Sequence, residues 1–111
     1  MEKIEQYRKC IKQVIRNHAC RKPLSEDVEV QTIFDTEDDH YQLVHAGWRN
    51  QDRQYGCLAH VDIKAEKIWI QYDGTEAGIA NELVELGISH DDIVLAYFPD
   101  FIRPYTDFAV T

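Results

Sequence analysis

The sequence predicts an α+β fold, in which an N-terminal helix precedes a four-stranded antiparallel β-meander, and C-terminal helices and an irregular tail follow. Three observations predict this order: a helical apolar stripe near the start, four stretches that alternate with a period of two, and a last third broken by Gly and Pro. The 111 residues are expected to form one domain, residues 1–111, which can bury roughly 65% of its unfolded surface.

The first predicted element is an amphipathic helix over residues 3–21, which Pro23 ends. Its apolar stripe consists of Ile4, Tyr7, Ile11, Val14, Ile15 and His18. A neighbouring stripe, here called the basic stripe, consists of Arg8, Lys9, Lys12 and Arg16. The basic stripe could hold a phosphate backbone or an acidic partner, or it could cover apolar surface with its methylene stems.

After the polar connection 23–27, alternating residues predict four strands joined by short turns. The predicted strands are 28–35, 41–49, 55–63 and 67–72. Pairing across the turns sets Val61 opposite Ile70. The same rule sets Thr32 opposite Leu43, Phe34 opposite Tyr41, Tyr41 opposite Val61, His45 opposite Cys57 and Ala59 opposite Tyr72. One face then carries Val28, Val30, Phe34, Tyr41, Leu43, Cys57, Val61, Ile63, Ile68, Ile70 and Tyr72. Burying such side chains is worth about 1.5–3 kcal/mol each, so this face is the predicted core.

The opposite face of the predicted sheet is also partly apolar. It mixes polar residues with Ile33, Val44, Ala46, Trp48, Leu58 and Trp69. A sheet with one solvated face alternates more cleanly, so either the C-terminal third or another chain should cover this face. Because aromatic residues dominate interface cores, we expect a partner or dimer interface here. Its predicted members are Trp48, Trp69, Val44, Leu58 and Ile33.

The last third begins with a second helix, capped by Asp73 or Thr75, which runs through Leu86 and ends at Gly87. The segment 89–92 resembles a capping box for a further helical turn. The apolar run 93–98 is predicted to be buried, and its periodicity fits a helix or a strand equally. Two prolines make the remaining tail irregular.

The sequence contains no catalytic or cofactor-binding motif of the GxSxG, Walker, GxGxxG or HExxH type. Asp38, Asp39 and His40 resemble a metal or acid–base cluster, but they fall in a turn, where Asp is favoured for backbone reasons. His45 and His60 are predicted on opposite faces, so they cannot bind one metal ion. We therefore expect no enzymatic activity, no cofactor and no metal.

Cysteine usage and charge narrow the class of protein further. Cys10, Cys20 and Cys57 are odd in number and lack zinc-ligand spacing, so they are expected to be reduced, small apolar fillers. No apolar run reaches the ~20 residues of a membrane span, and the N-terminus does not resemble a signal peptide. The expected location is the cytoplasm.

The net charge of −8 is divided unevenly along the chain. Residues 1–22 hold seven basic and two acidic residues, a net of +5, and the remaining 89 residues carry −13. This balance argues against DNA binding by the whole surface. The acidic part instead suits a basic, DNA-binding protein partner.

Nearly the whole chain resembles the largely cyanobacterial XisI family, the fdxN-element excision controlling factors. The resemblance rests on three stretches in a fixed order: VEVQTIFDTEDDHYQLVHAGWRNQDRQYGCLAHVDIK, KIWIQYDGTEAGIANELVELGI and DIVLAYFPDFIRPYTDFAV. The tryptophan contexts GW and IWIQYDGT are its most specific parts. No catalytic residue is transferred by this resemblance, which implies an XisI-like fold.

The resemblance implies an accessory role in the programmed excision of a DNA element, with a separate site-specific recombinase cutting and joining the DNA. It also implies a companion, the endonuclease-like XisH protein. The leading hypothesis is a non-enzymatic regulator that binds this partner and forms a homodimer; a related version is an acidic inhibitor of the companion. The alternative is a recombination directionality factor that binds DNA directly through the basic stripe.

Overall fold

The computed structural model describes residues 2–20 and 27–111. Its helices and strands are α1 (Glu2–Ala19), β1 (Val28–Asp35), β2 (His40–Arg49), β3 (Asp52–Lys64), β4 (Lys67–Asp73), α2 (Ile79–Glu85) and β5 (Ile93–Leu95). Short 3-10 helices cover His90–Asp92 and Arg103–Tyr105. The predicted first helix and four strands are confirmed, while the predicted helix end at Pro23 lies outside the described residues. No helix in the described ranges has the length and apolar character to cross a bilayer.

The sheet is larger than predicted and mixed rather than purely antiparallel. Its five strands follow the chain order β1-β2-β3-β4-β5, and the first four are antiparallel. The run 93–98 was predicted to be either a helix or a strand. Its first three residues form the strand β5, which pairs parallel with β4. A parallel pair needs a long crossover, and α2 lies within that connection. The prediction of four strands was therefore wrong by one edge strand.

The core lies between α1, α2 and one face of the sheet, called here the core face. From α1, Tyr7, Ile11, Val14 and Ile15 are buried. They meet a second buried group from the sheet and α2, made of Tyr41, Leu43, Val61, Ile68, Ile70, Ile79 and Leu83. His18, at the end of α1, contacts the Glu82 carboxylate of α2. The amphipathic stripe predicted for the first helix is therefore the surface that packs on the sheet.

Two β-bulges change the predicted register. Between β2 and β3, Leu43 pairs with Ala59 but Val44 pairs with Cys57, so that Leu58 is the extra residue. His45 therefore lies opposite Gly56, not opposite Cys57 as predicted. An extra residue reverses the inward and outward alternation beyond it. Cys57, predicted in the core, is consequently exposed, and Leu58, predicted on the opposite face, packs against the core.

The second bulge lies between β3 and β4. Val61 pairs with Ile70, as predicted, but His60 pairs with Tyr72, which leaves Gln71 as the extra residue. Ala59 is therefore opposite Asp73, not opposite Tyr72. The predicted core position of Tyr72 was wrong for this reason, and half of its side-chain surface is exposed.

The N-cap residue of α2 is Gly78, because the helix begins later than expected. The predicted capping residues Asp73 and Thr75 nevertheless accept backbone N–H groups at its start. Asp73 Oδ2 accepts the backbone N–H of Ile79, the first residue of α2, at 2.8 Å. Thr75 Oγ1 accepts the N–H of Gly78, and Gly87, with φ of +101°, follows the end of the helix. Asp73 thus connects the end of β4 to the start of α2.

Candidate partner-binding surface

The sheet face opposite to α1, here called the open face, can be read from the strand pairing. Residues directly opposite each other in a sheet project to the same side. One row on this face runs from β1 to β4 through Ile33, Gln42, His60 and Tyr72. The next row runs through Asp35, His40, Asp62, Trp69 and Val94. Beyond the first bulge, the open face continues through Gln31, Glu29, Val44, Ala46, Trp48, Arg53, Tyr55 and Cys57.

One end of the open face is contacted by the C-terminal tail. The Arg103 guanidinium lies 5.6 Å from the centroid of the Trp69 ring, and Lys64 Nζ lies 4.3 Å from it. The Trp69 indole N–H donates to the Lys64 carbonyl at 3.0 Å. Trp69 is therefore only partly exposed, because its own chain supplies much of its surroundings.

The rest of the open face exposes large apolar side chains. The exposed fractions are 47% for Ile33, 50% for Trp48, 70% for Tyr55 and 50% for Tyr72. The Arg53 guanidinium lies 5.4 Å from the Trp48 ring and 5.8 Å from the Tyr55 ring. Such cation–π contacts orient the two rings while leaving them accessible. We call the four exposed side chains of Ile33, Trp48, Tyr55 and Tyr72 the aromatic patch, because three of them are aromatic.

The structure places the five predicted interface residues in different environments. Ile33 and Trp48 are exposed on the open face, Trp69 is half-covered by the tail, and Val44 is buried. Leu58 packs against the core. Tyr55 and Tyr72 were missed, because each lies beyond a bulge that moves it to the open face. Each bulge shifts the strand register by one residue, and the alternation of apolar and polar residues in the sequence does not show such a shift.

The basic stripe on α1 is partly engaged in contacts within the chain. Arg8 Nε and Nη2 donate to the two Asp39 carboxylate oxygens at 2.8 and 3.2 Å, and Arg8 also contacts Glu5. Tyr41 OH donates to the same Asp39 carboxylate at 2.8 Å. The hydrogen bond from Arg8 is the main reason why the pKa of Asp39 is lowered. Arg8 therefore ties α1 to the β1–β2 turn.

The other members of the basic stripe differ from Arg8 in their exposure. Lys9 and Arg16 are exposed, and Lys12 is half-buried. The Arg16 guanidinium lies 5.1 Å from the Phe34 ring centroid, so its stem covers apolar surface beside the core. Charge on this flank is consequently accessible mainly at Lys9, Lys12 and Arg16.

The cluster Asp38, Asp39 and His40 does not act as one group. Asp39 is bound by Arg8 and Tyr41, and the N–H of Asp38 donates to Asp35 Oδ1 at 3.2 Å, as expected for a turn. His40 turns instead to Asp62 on β3, with His40 Nδ1 at 2.8 Å from Asp62 Oδ1. This hydrogen bond is the main cause of the raised pKa of His40.

Asp62 brings together two histidines that sequence spacing does not connect. His60 Nε2 lies 2.9 Å from the same Asp62 oxygen that His40 contacts. Gln42 and Gln71 contact His60 and Asp62 respectively. The predicted pairing of Tyr41 with Val61 implies that His40 lies opposite Asp62, and the structure shows this pair. The predicted strand register could therefore have identified His40 and Asp62 as neighbours.

Comparisons with known proteins show one matching family model and similar solved structures. The family model "XisI protein" matches residues 1–110. A XisI-like protein from Anabaena variabilis ATCC 29413 is 42% identical, with a TM-score of 0.90 over 96% of this chain and 97% of that chain. The fdxN element excision controlling factor XisI from the same organism is 29% identical, with a TM-score of 0.85 over 98% and 99% of the two chains. Among curated proteins, none matches the chain.

Proposed function

Since the chain belongs to the XisI family, we propose that it is a non-enzymatic accessory factor for excision of a DNA element, which acts by binding other proteins in the cytoplasm. One similar protein carries the name fdxN element excision controlling factor. In this proposal a site-specific recombinase performs the cutting and joining, and this chain controls it indirectly through its partners.

The observation that carries the proposal is the aromatic patch. Four large apolar side chains are exposed on this one face of the sheet, and Trp and Tyr are the residues that contribute most to binding energy at interfaces. The patch residues stand on paired strands, and Arg53 orients two of the rings, so little side-chain freedom would be lost on binding.

The proposed partners are a second copy of this chain and an XisH-like, endonuclease-like companion. Residues 23–111 carry a net charge of −13, which would attract a basic, DNA-binding protein and speed the encounter. In the inhibitor version of this proposal, the acidic surface occupies the DNA-binding site of the companion. Competition between duplex DNA and this chain for the companion distinguishes the inhibitor from a partner that leaves that site free.

Replacing both Trp48 and Tyr55 with Ala is expected to weaken self-association and capture of the companion by about 30-fold, the effect of losing one interface hot spot of ~2 kcal/mol. Light scattering after gel filtration measures self-association, and co-purification at low salt measures capture. The matched control replaces Phe101 and Tyr105, two tail residues that are 73% and 87% exposed. A wild-type chain that is monomeric and captures no companion at low salt would contradict the proposal.

Direct DNA binding is the alternative that the basic stripe suggests, and we expect it to fail. The wild-type chain should not retard duplex DNA at low salt, because the −13 remainder repels phosphate. The decisive variant replaces Lys9, Lys12 and Arg16 with Ala and keeps Arg8, which holds Asp39. A wild-type shift that weakens steeply with salt and disappears in this variant would favour a directionality factor.

A further inference from the structure

We propose that His40, His60 and Asp62 form a binding site for one divalent transition-metal ion, with Zn²⁺ as the ion that fits best. The coordinating atoms are His40 Nδ1, His60 Nε2 and one carboxylate oxygen of Asp62, and all lie within 4.8 Å of one another. The two histidine nitrogens are 2.8 and 2.9 Å from Asp62 Oδ1. Three donors from two neighbouring strands thus converge on one point of the open face.

The donor set selects the class of metal. Two imidazoles and one carboxylate suit Zn²⁺ and related first-row ions, whereas Ca²⁺ and Mg²⁺ prefer oxygen ligands throughout. Three protein ligands leave at least one coordination position for water or an external donor. A site of this composition binds an exchangeable ion at the surface rather than a fully enclosed structural one.

Of the three separations between the ligand atoms, the two that involve Asp62 are close to those that a bound ion requires, and the two histidine nitrogens lie within 4.8 Å of each other. Donors at ~2.0–2.1 Å from a tetrahedral Zn²⁺ lie ~3.3 Å apart, slightly more than the present hydrogen-bonded separations. The ion would replace the protons that now bridge each histidine and Asp62. Because His40 and Asp62 are directly paired residues of β2 and β3, the strands hold them at this spacing.

Two glutamine side chains contact the proposed metal ligands His60 and Asp62. Gln71 Nε2 donates to the second Asp62 oxygen at 3.3 Å, and Gln42 Nε2 lies 3.4 Å from His60 Nδ1. With the ion on His60 Nε2, Nδ1 carries the proton, and the Gln42 amide can turn its oxygen to accept it. Such outer contacts orient metal ligands and raise their affinity.

The three side chains differ in burial: Asp62 is the most buried and His40 the most exposed. The exposed fractions are 14% for Asp62, 30% for His60 and 54% for His40. The anchoring carboxylate is therefore shielded, while His40 leaves a path for the ion from solvent. This proposal does not depend on partner binding, since every donor belongs to one chain.

Titration calorimetry of the tag-free protein with zinc chloride tests the site. The protein carries C20S and C57S, because these two exposed thiols could also bind zinc. We expect one ion per chain, and a loss of affinity of about 100-fold in D62N and in H60Q, since D62N removes the negative charge of the carboxylate ligand and H60Q removes an imidazole ligand. The matched control is H90Q, which alters an exposed histidine on the 3-10 helix His90–Asp92.

The absorption spectrum of the Co²⁺ form provides a second measurement, in which visible bands without a sulfur charge-transfer band are expected for nitrogen and oxygen ligands. Far-UV circular dichroism confirms that each variant folds. Equal affinity in H60Q and the wild type, or a dissociation constant weaker than about 1 mM, would overturn the site. Because no companion is present, this result is independent of the outcome of the partner-capture experiment.

Discussion

Replacing Leu83 with Ala is expected to lower the free energy of unfolding by about 2–5 kcal/mol, because it leaves a cavity where α1, α2 and the sheet meet. Leu83 is fully buried in the core cluster. Alanine is the best helix former, so α2 itself should not be weakened, and the loss reports packing alone. A domain of this size has about 5–15 kcal/mol of stability in total, so the effect is a large fraction of it.

Urea unfolding followed by circular dichroism measures this change as a lower midpoint with an unchanged slope. The control is Glu85→Ala on the same helix, whose side chain is exposed and whose replacement should shift stability by less than about 0.5 kcal/mol. If Leu83→Ala and Glu85→Ala unfolded at the same denaturant concentration, α2 would not be part of the cooperative core.

Replacing Gly47 with Ala is expected to cost at least about 1–3 kcal/mol, because β2 has no room for a side chain at this position. A β-carbon at Gly47 would lie 2.0 Å from the Asp27 carbonyl oxygen and 2.6 Å from Val28 Cα. Both atoms belong to backbone, which cannot rotate away as a side chain does. The Trp48 N–H donates to the same Asp27 carbonyl at 3.1 Å, so relief of the clash would also disturb the aromatic patch.

The matched control is Gly56→Ala on the partner strand of the same hairpin. A β-carbon there would lie 3.4 Å from His45 Cε1, an ordinary contact with a side chain. Its stability should change by no more than about 1 kcal/mol, and it can rise because the unfolded chain loses freedom. Thermal unfolding of both variants measures the difference, and equal melting temperatures would show that the backbone at Asp27 and Val28 moves aside freely.

The sequence predicted the regular elements of this protein well where local pattern decides them. The first helix and the strand Val28–Asp35 were located from periodicity, and the pairs Thr32–Leu43 and Phe34–Tyr41 have the predicted register. The turn Ala65-Glu66 forms with positive φ at both residues, although it lacks Gly or Asn. Pairing of the apolar residues on the two flanking strands evidently outweighs the unfavourable turn conformation.

The candidate site was predicted less completely, for a reason that is specific to sheets. Trp48 and Ile33 lie on the open face as expected, but Tyr55 and Tyr72 reach it only because Leu58 and Gln71 are extra residues in bulges. The position of a bulge depends on how neighbouring strands pack on the core. It therefore cannot be predicted from an alternation of residues with a period of two.

By itself, the sequence determined the helix, the four consecutive strands, the charge division and the XisI family, because each depends on residues close in the chain or on their order. The tertiary structure decided the fifth strand, the two reversals of face and the approach of both His40 and His60 to one oxygen of Asp62. Those features depend on which segments pack together across many residues, and that choice is made by burial and strand pairing over the whole sheet.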